Sequence, residues 1–156
     1  MIRIIFAVLA SGLMVAPATA QWASDYNMGT LGVMGGNSAS GTISVQCADA
    51  GNGTVKQGDL SIFIKPGAAS MVGTASPGKL KFEFGDSNVS LPVADDAGDG
   101  FVYDKTPTTL GDARALIGLL KSSSTVAVLA GSEQIANVRL DGAVAALAGV
   151  EACLVP

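Results

Sequence analysis

Few residues in this chain can do chemistry. It carries 13 acidic and 9 basic side chains, two cysteines and no histidine. Mechanisms that need an imidazole base or ligand are therefore excluded, and two thiols are too few for a thiolate zinc site. The loop Asp95-Asp96-Ala97-Gly98-Asp99-Gly100 follows part of the calcium-loop pattern, with Asp95 at position 1, Asp99 at position 5 and Gly100 at the sharp turn of position 6. Ala97 stands at position 3 and Thr106 at position 12, where a bidentate glutamate belongs. Asp95 and Asp99 are thus weak calcium candidates, and the expectation is a solvated acidic turn with no metal. Ser76-Pro77-Gly78-Lys79 has the Ser-x-x-Lys spacing of penicillin-interacting serine enzymes. That chemistry needs the two side chains one helical turn apart, whereas Pro77-Gly78 makes a turn, and no Ser-Asp-Asn or Lys-Thr-Gly accompanies it. Gly32-Val33-Met34-Gly35-Gly36 lacks the Lys-Ser/Thr of a phosphate loop and reads as a flexible bend. Two carboxylates could hydrolyse a glycoside without histidine, but the sequence nominates no pair. No catalytic residue and no cofactor is expected.

The N-terminus supplies a compartment. Met1-Ile2-Arg3 is a short positive start, Ile4 to Val15 is apolar, Pro17 breaks the run, and Ala18-Thr19-Ala20 is a small-x-small cleavage site. The apolar run falls short of the roughly 20 residues that span a bilayer. Residues 1–20 are read as a signal peptide cut before Gln21, which sends the chain to the periplasm of a bacterium or outside the cell. Removing Arg3 leaves 8 basic against 13 acidic residues, a net of −5. An acidic chain with no cluster of Lys or Arg among aromatics is not expected to bind nucleic acid. In an oxidising compartment Cys47 and Cys153 are expected to pair. Closing a loop of roughly 100 residues could stabilise the fold by about 4.7 kcal/mol on chain-entropy grounds.

The elements that must hold these residues are mostly strands. Residues 21–40, rich in Gly, Ser and Asn, read as a flexible N-terminal segment with at most a first edge strand, and 41–156 as one β-rich domain. Ile43, Val45 and Cys47 alternate with polar neighbours, as do Leu60, Ile62 and Ile64, Leu80, Phe82 and Phe84, and Val89, Leu91 and Val93. Gly51-Asn52-Gly53 and Gly85-Asp86-Ser87-Asn88 are turn signals, and Pro92 puts its strand at an edge or ends it. Leu110, Ala113, Leu116, Ile117 and Leu120 fall at helical spacing, with Thr108 or Thr109 as cap and Asp112 in the first turn. Strands follow around 125–130 and 135–141, then a short helix over 142–150 with Asp141 as its cap. This order predicts a mainly-β or α+β domain: an antiparallel sheet or sandwich, one helix before the last strand pair, and a short C-terminal helix. Trp22, Tyr26 and Phe63, the last on the outward phase of its strand, are candidates for an interface patch.

The apolar spacing Leu116-x-x-x-Leu120, Val126-x-Val128, Val138-x-Leu140-x-Gly142, Ala145-x-Leu147 and Cys153, with Ile43-x-Val45-x-Cys47 and Leu60-x-Ile62-x-Ile64 before it, covers residues 41–154. It resembles small exported proteins of the invasion-associated locus B type and of the type VI secretion-associated periplasmic type. Val138 or Leu140 stands where those proteins usually have an aromatic before the final glycine. The resemblance implies a disulfide-linked, noncatalytic periplasmic domain. The expected function is a binding or adaptor module for another periplasmic or cell-envelope protein. The alternatives are an inhibitor of a secreted hydrolase such as lysozyme and, third, a carboxylate-based hydrolase.

Mass spectrometry of the exported protein should find no thiol that alkylates before reduction. Cys47→Ser should lower stability by about 2–5 kcal/mol in denaturant unfolding.

Overall fold

The structure is a computed structural model that describes residues 21–50, 56–68, 70, 78–96 and 99–156. The expected signal peptide, the Gly51-Asn52-Gly53 turn and Ser76-Pro77 lie outside the described residues.

Among the described residues ten strands form two antiparallel sheets, as the alternating sequence predicts. The first sheet has the order β1-β2-β3-β4-β8-β7, built from β1 (Trp22–Asn27), β2 (Thr30–Asn37), β3 (Gly41–Cys47), β4 (Leu60–Lys65), β7 (Ala94–Asp96) and β8 (Gly100–Asp104). The second has the order β10-β9-β5-β6, from β5 (Lys79–Phe84), β6 (Ser87–Pro92), β9 (Thr125–Ala130) and β10 (Glu133–Arg139). The sheets face each other as a sandwich with β10 lying over β2 and β3. Their inward residues, Ile43, Val45, Ile62 and Ile64 from one side and Leu80, Phe82, Val126 and Val128 from the other, are fully buried. Pro92 ends β6, which is an edge strand as expected, because proline has no N–H for a further ladder.

Helix α1 (Leu110–Ser122) presents the expected stripe of Leu110, Ala113, Leu116, Ile117 and Leu120 to the core and lies against β6. Asp112 is in its first turn, but Thr109 does not cap it. The Thr109 hydroxyl is instead bonded to the phenol of Tyr103 at 2.9 Å and to the Thr106 hydroxyl. The predicted last helix is shorter than 142–150. Helix α2 covers only Ala143–Ala146, and a 3-10 segment, Ala148–Cys153, follows. Asp141 makes an ion pair with Arg139 at 2.8 Å and does not cap, since Gly142 with φ 88 occupies the cap position. The left-handed turn at Gly142 aims the short helix before Asp141 can reach its N–H groups.

The N-terminal segment departs from expectation. Residues 22–37 are a hairpin of the large sheet, closed by Met28-Gly29 with φ of 49 and 78, and the bend read at Gly32–Gly36 is part of β2. Glycines at 32, 35 and 36 hide the alternation, because they remove side chains where the pattern should show. Gly35 is empty for a reason. It is paired with Trp22, and a Cβ there would overlap the indole lying across it. The indole is 4% exposed, and its Nε1–H donates to the Arg139 carbonyl at 2.8 Å. Trp22 thereby fastens the large sheet to the end of β10.

Cys47 and Cys153 are joined, with Cα atoms 5.7 Å apart, so the 3-10 segment is bonded to β3. Three cations hold the same tail. The Lys105 ammonium donates to the carbonyls of Gly58 at 2.6 Å, Cys153 at 2.9 Å and Val155 at 3.2 Å. Arg114 Nε donates to the Leu154 carbonyl at 2.7 Å, and Lys121 pairs with Glu151.

Gly35→Ala should cost about 1–3 kcal/mol through overpacking. Trp22 is the one tryptophan, so a red shift of its emission in the folded protein would report the displaced indole.

Candidate binding face

Strand register brings residues far apart in sequence into rows across the outer face of the large sheet. Ala23 is paired with Met34, Met34 with Ser44, Ser44 with Phe63, Phe63 with Val102, and Val102 with Ala94. The next row runs Asp25, Gly32, Gln46, Ser61 and Asp104. Both rows have the parity opposite to the buried residues, so they point away from the core. Met34 is 56% exposed, and Phe63 and Val102 are half-buried by their neighbours in the sheet.

Gly32 leaves a shallow depression of about 270 Å³ between the two rows, walled by Ala23, Asp25, Met34, Ser44 and Gln46. Asp25 in its wall is exposed, and Asp104 at the far end of the same row is exposed and accepts a hydrogen bond from the Ser61 hydroxyl at 2.5 Å. The one lysine on this face, Lys65, is paired with Asp99 at 3.4 Å. The outer face of the small sheet is different in kind. There Lys81 and Glu83 form an ion pair at 2.6 Å and present charge to water. Ala127 and Leu129 are half-buried opposite Glu83 and Lys81 there, and the longer apolar row is the one on the large sheet.

The residues expected to form an interface are separated. Phe63 is on the outer face. Tyr26 has the inner parity at the end of the edge strand, where it is 54% exposed. Trp22 is buried, so it cannot belong to a surface patch: its alternation with Ala23 turns it onto Gly35. Met34, Val102, Asp25 and Asp104 were missed, because only register places them on the same face as Phe63. The signal that could have found Met34 is its position between Val33 and Gly35, one step out of phase with the core.

The Tyr26 phenol donates to Asp49 Oδ1 at 2.8 Å, and this hydrogen bond raises its pKa above the usual value of a phenol. The pKa of Tyr103 is raised chiefly by burial. Of the calcium candidates, Asp99 makes an exposed ion pair with Lys65 at 3.4 Å, while the Asp95 carboxylate and residues 97–98 lie outside the described residues. No group of three or more metal-ligating side chains occurs among the described residues, and none of their polar or charged side chains is buried. No helix among them is long and apolar enough to cross a membrane. No protein-family model, no curated protein and no solved structure matches the chain.

Because the chain has only two tyrosines, Tyr103→Phe leaves Tyr26 as the single titrating phenol. In that background Asp49→Ala should bring the Tyr26 pKa down toward its ordinary 10.0, followed by phenolate absorbance. An unchanged midpoint would mean that the Asp49 contact is not made in solution.

Proposed function

We propose that this chain is a noncatalytic, exported binding module that engages another periplasmic or cell-envelope protein through the outer face of its large sheet. The observation that carries this reading is the row Met34, Phe63 and Val102 on the outer face, against which no other described element is packed, with Asp25 and Asp104 in the next row. Sheet faces in small domains usually pair apolar residues with a second layer, so an uncovered apolar stripe marks a contact surface. The carboxylates at its margin suit a partner with basic residues around an apolar centre, and the net charge of the exported chain would steer such a partner toward it. Joined cysteines fit the oxidising compartment that residues 1–20 imply. The resemblance to exported proteins of the invasion-associated locus B type points the same way.

The acidic balance also favours a second reading, inhibition of a basic secreted hydrolase such as lysozyme. In that case the same face would cover the enzyme's cleft. A carboxylate-based hydrolase ranks behind both, since it needs two carboxylates about 5–9 Å apart in a cleft, and the described carboxylates are not buried.

Cross-linking of the tagged mature protein in its own periplasm should capture one dominant partner with the wild type. That capture should be lost with Met34→Glu and with Phe63→Glu, each checked for native Trp22 emission. Equal capture by wild type and both variants would remove the outer face from the proposal. Lysozyme activity left unchanged by equimolar protein would remove the inhibitor reading.

A further inference from the structure

Sulfur in this chain is divided between a sealed core and an open surface. Cys47 and Cys153 are joined and fully buried, and Trp22 is nearly so. Methionine commonly fills gaps in cores, yet the core among the described residues contains none. Of the five methionines, Met1 and Met14 belong to the expected signal peptide, and Met71 lies outside the described residues. The other two are on the surface: Met28 is 76% exposed and Met34 56%. A two-electron oxidant that meets the folded protein therefore finds the thioethers of Met28 and Met34 ahead of the bridge or the indole.

Their settings differ. Met28 stands at the tip of the β1–β2 hairpin, outside the apolar row of the outer face. Met34 lies in that row and in the wall of the depression at Gly32, together with Ser44 and Gln46. Ser44 is directly opposite Met34 in the ladder, and Gln46 is a diagonal neighbour. A hydroxyl and a side-chain amide gain little from a thioether, which is a weak acceptor. They suit a sulfoxide, whose oxygen is a polar acceptor. Because Ala23 is opposite Met34 on its other side, an added oxygen meets only a methyl group there.

We propose that Met34 is a reversible oxidation site through which a hydroperoxide closes the outer face of the large sheet. The closing role rests on the binding function proposed above for that face. A lone pair of the Met34 sulfur attacks one oxygen of hydrogen peroxide. The S–O bond forms as the O–O bond breaks, and the departing hydroxide takes the proton of the new oxygen and leaves as water. Sulfur loses two electrons, and the peroxide gains them. The product puts a polar S–O group into the row of Met34, Phe63 and Val102, where an apolar partner surface would strip it of water. No buried side chain changes, so the fold is kept. Methionine sulfoxide reductase restores the thioether: the oxygen leaves as water while two thiols become a disulfide.

The test uses the mature protein in a Met71→Leu background, with hydrogen peroxide as the oxidant. Peptide mass mapping should find one added oxygen on Met28, one on Met34 and none on Trp22, with the melting temperature unchanged. The side-chain amide resonance of Gln46 should move as Met34 is oxidised, and peroxide should leave it in place in Met34→Leu. Partner capture should fall roughly tenfold, the weight of one hot-spot side chain, and return after reductase treatment. Met28→Leu should lose capture on oxidation as its parent does, whereas capture by Met34→Leu, whatever its starting level, should not respond to peroxide. An unreactive Met34, an unmoved Gln46 amide, or an equal peroxide response in Met34→Leu would each overturn the proposal. Absence of capture before any peroxide would instead remove the outer-face reading and the closing role with it, while a moved Gln46 amide would still establish the oxidation site.

Discussion

The bond between Cys47 and Cys153 fixes where the chain ends, and much of the packing depends on that end being fixed. The segment it holds is a 3-10 turn with little hydrogen bonding of its own, a poor structure by itself. Once bonded to β3, it places Val150 and Cys153 in the core and lets Lys105 close three carbonyls from two separate chain segments. An ammonium has three donors, and here all three are used. Arg114 and Lys121 add attachments from α1, so helix, tail and Gly58 are held together. The tail is thereby protected from the fraying usual at chain ends.

The other organising constraint is at the opposite end of the sequence, in the glycines of β2. At Gly35 the missing side chain admits the Trp22 indole on the inner face. At Gly32 it opens a depression on the outer face. One strand therefore does two things by omission: it lets an aromatic seal the core, and it roughens a surface that alternation would otherwise make flat. Trp22 is thus a core residue here, and the outer face is left to Met34 and Phe63.

Legibility in the sequence followed how much each element depends on its own residues. Strands β3, β4, β5 and β6 and helix α1 were readable because period-2 or helical spacing is carried by large side chains that cannot be placed otherwise. The hairpin at 22–37 was not readable, since its inner positions are filled from elsewhere, by Trp22 over Gly35. The bulge in β10 buries Ile135 and Ala136 together, which breaks the alternation and frees the Ile135 carbonyl for Gly67. Phe63 could be placed on an outward phase from its strand alone, but its neighbours could not.

By itself the sequence determined a mainly-β or α+β class with antiparallel strands, the helix ahead of the last strand pair, and that the two cysteines have only each other to bond. These are local or compositional properties, set by periodicity and by counting. The tertiary structure alone decided that Trp22 is buried, that Asp141 does not cap, and that Met34, Phe63 and Val102 share a row. Each of these depends on register between strands and on the turn geometry that sets it. A shift of one residue would move every side chain of a strand to the opposite face.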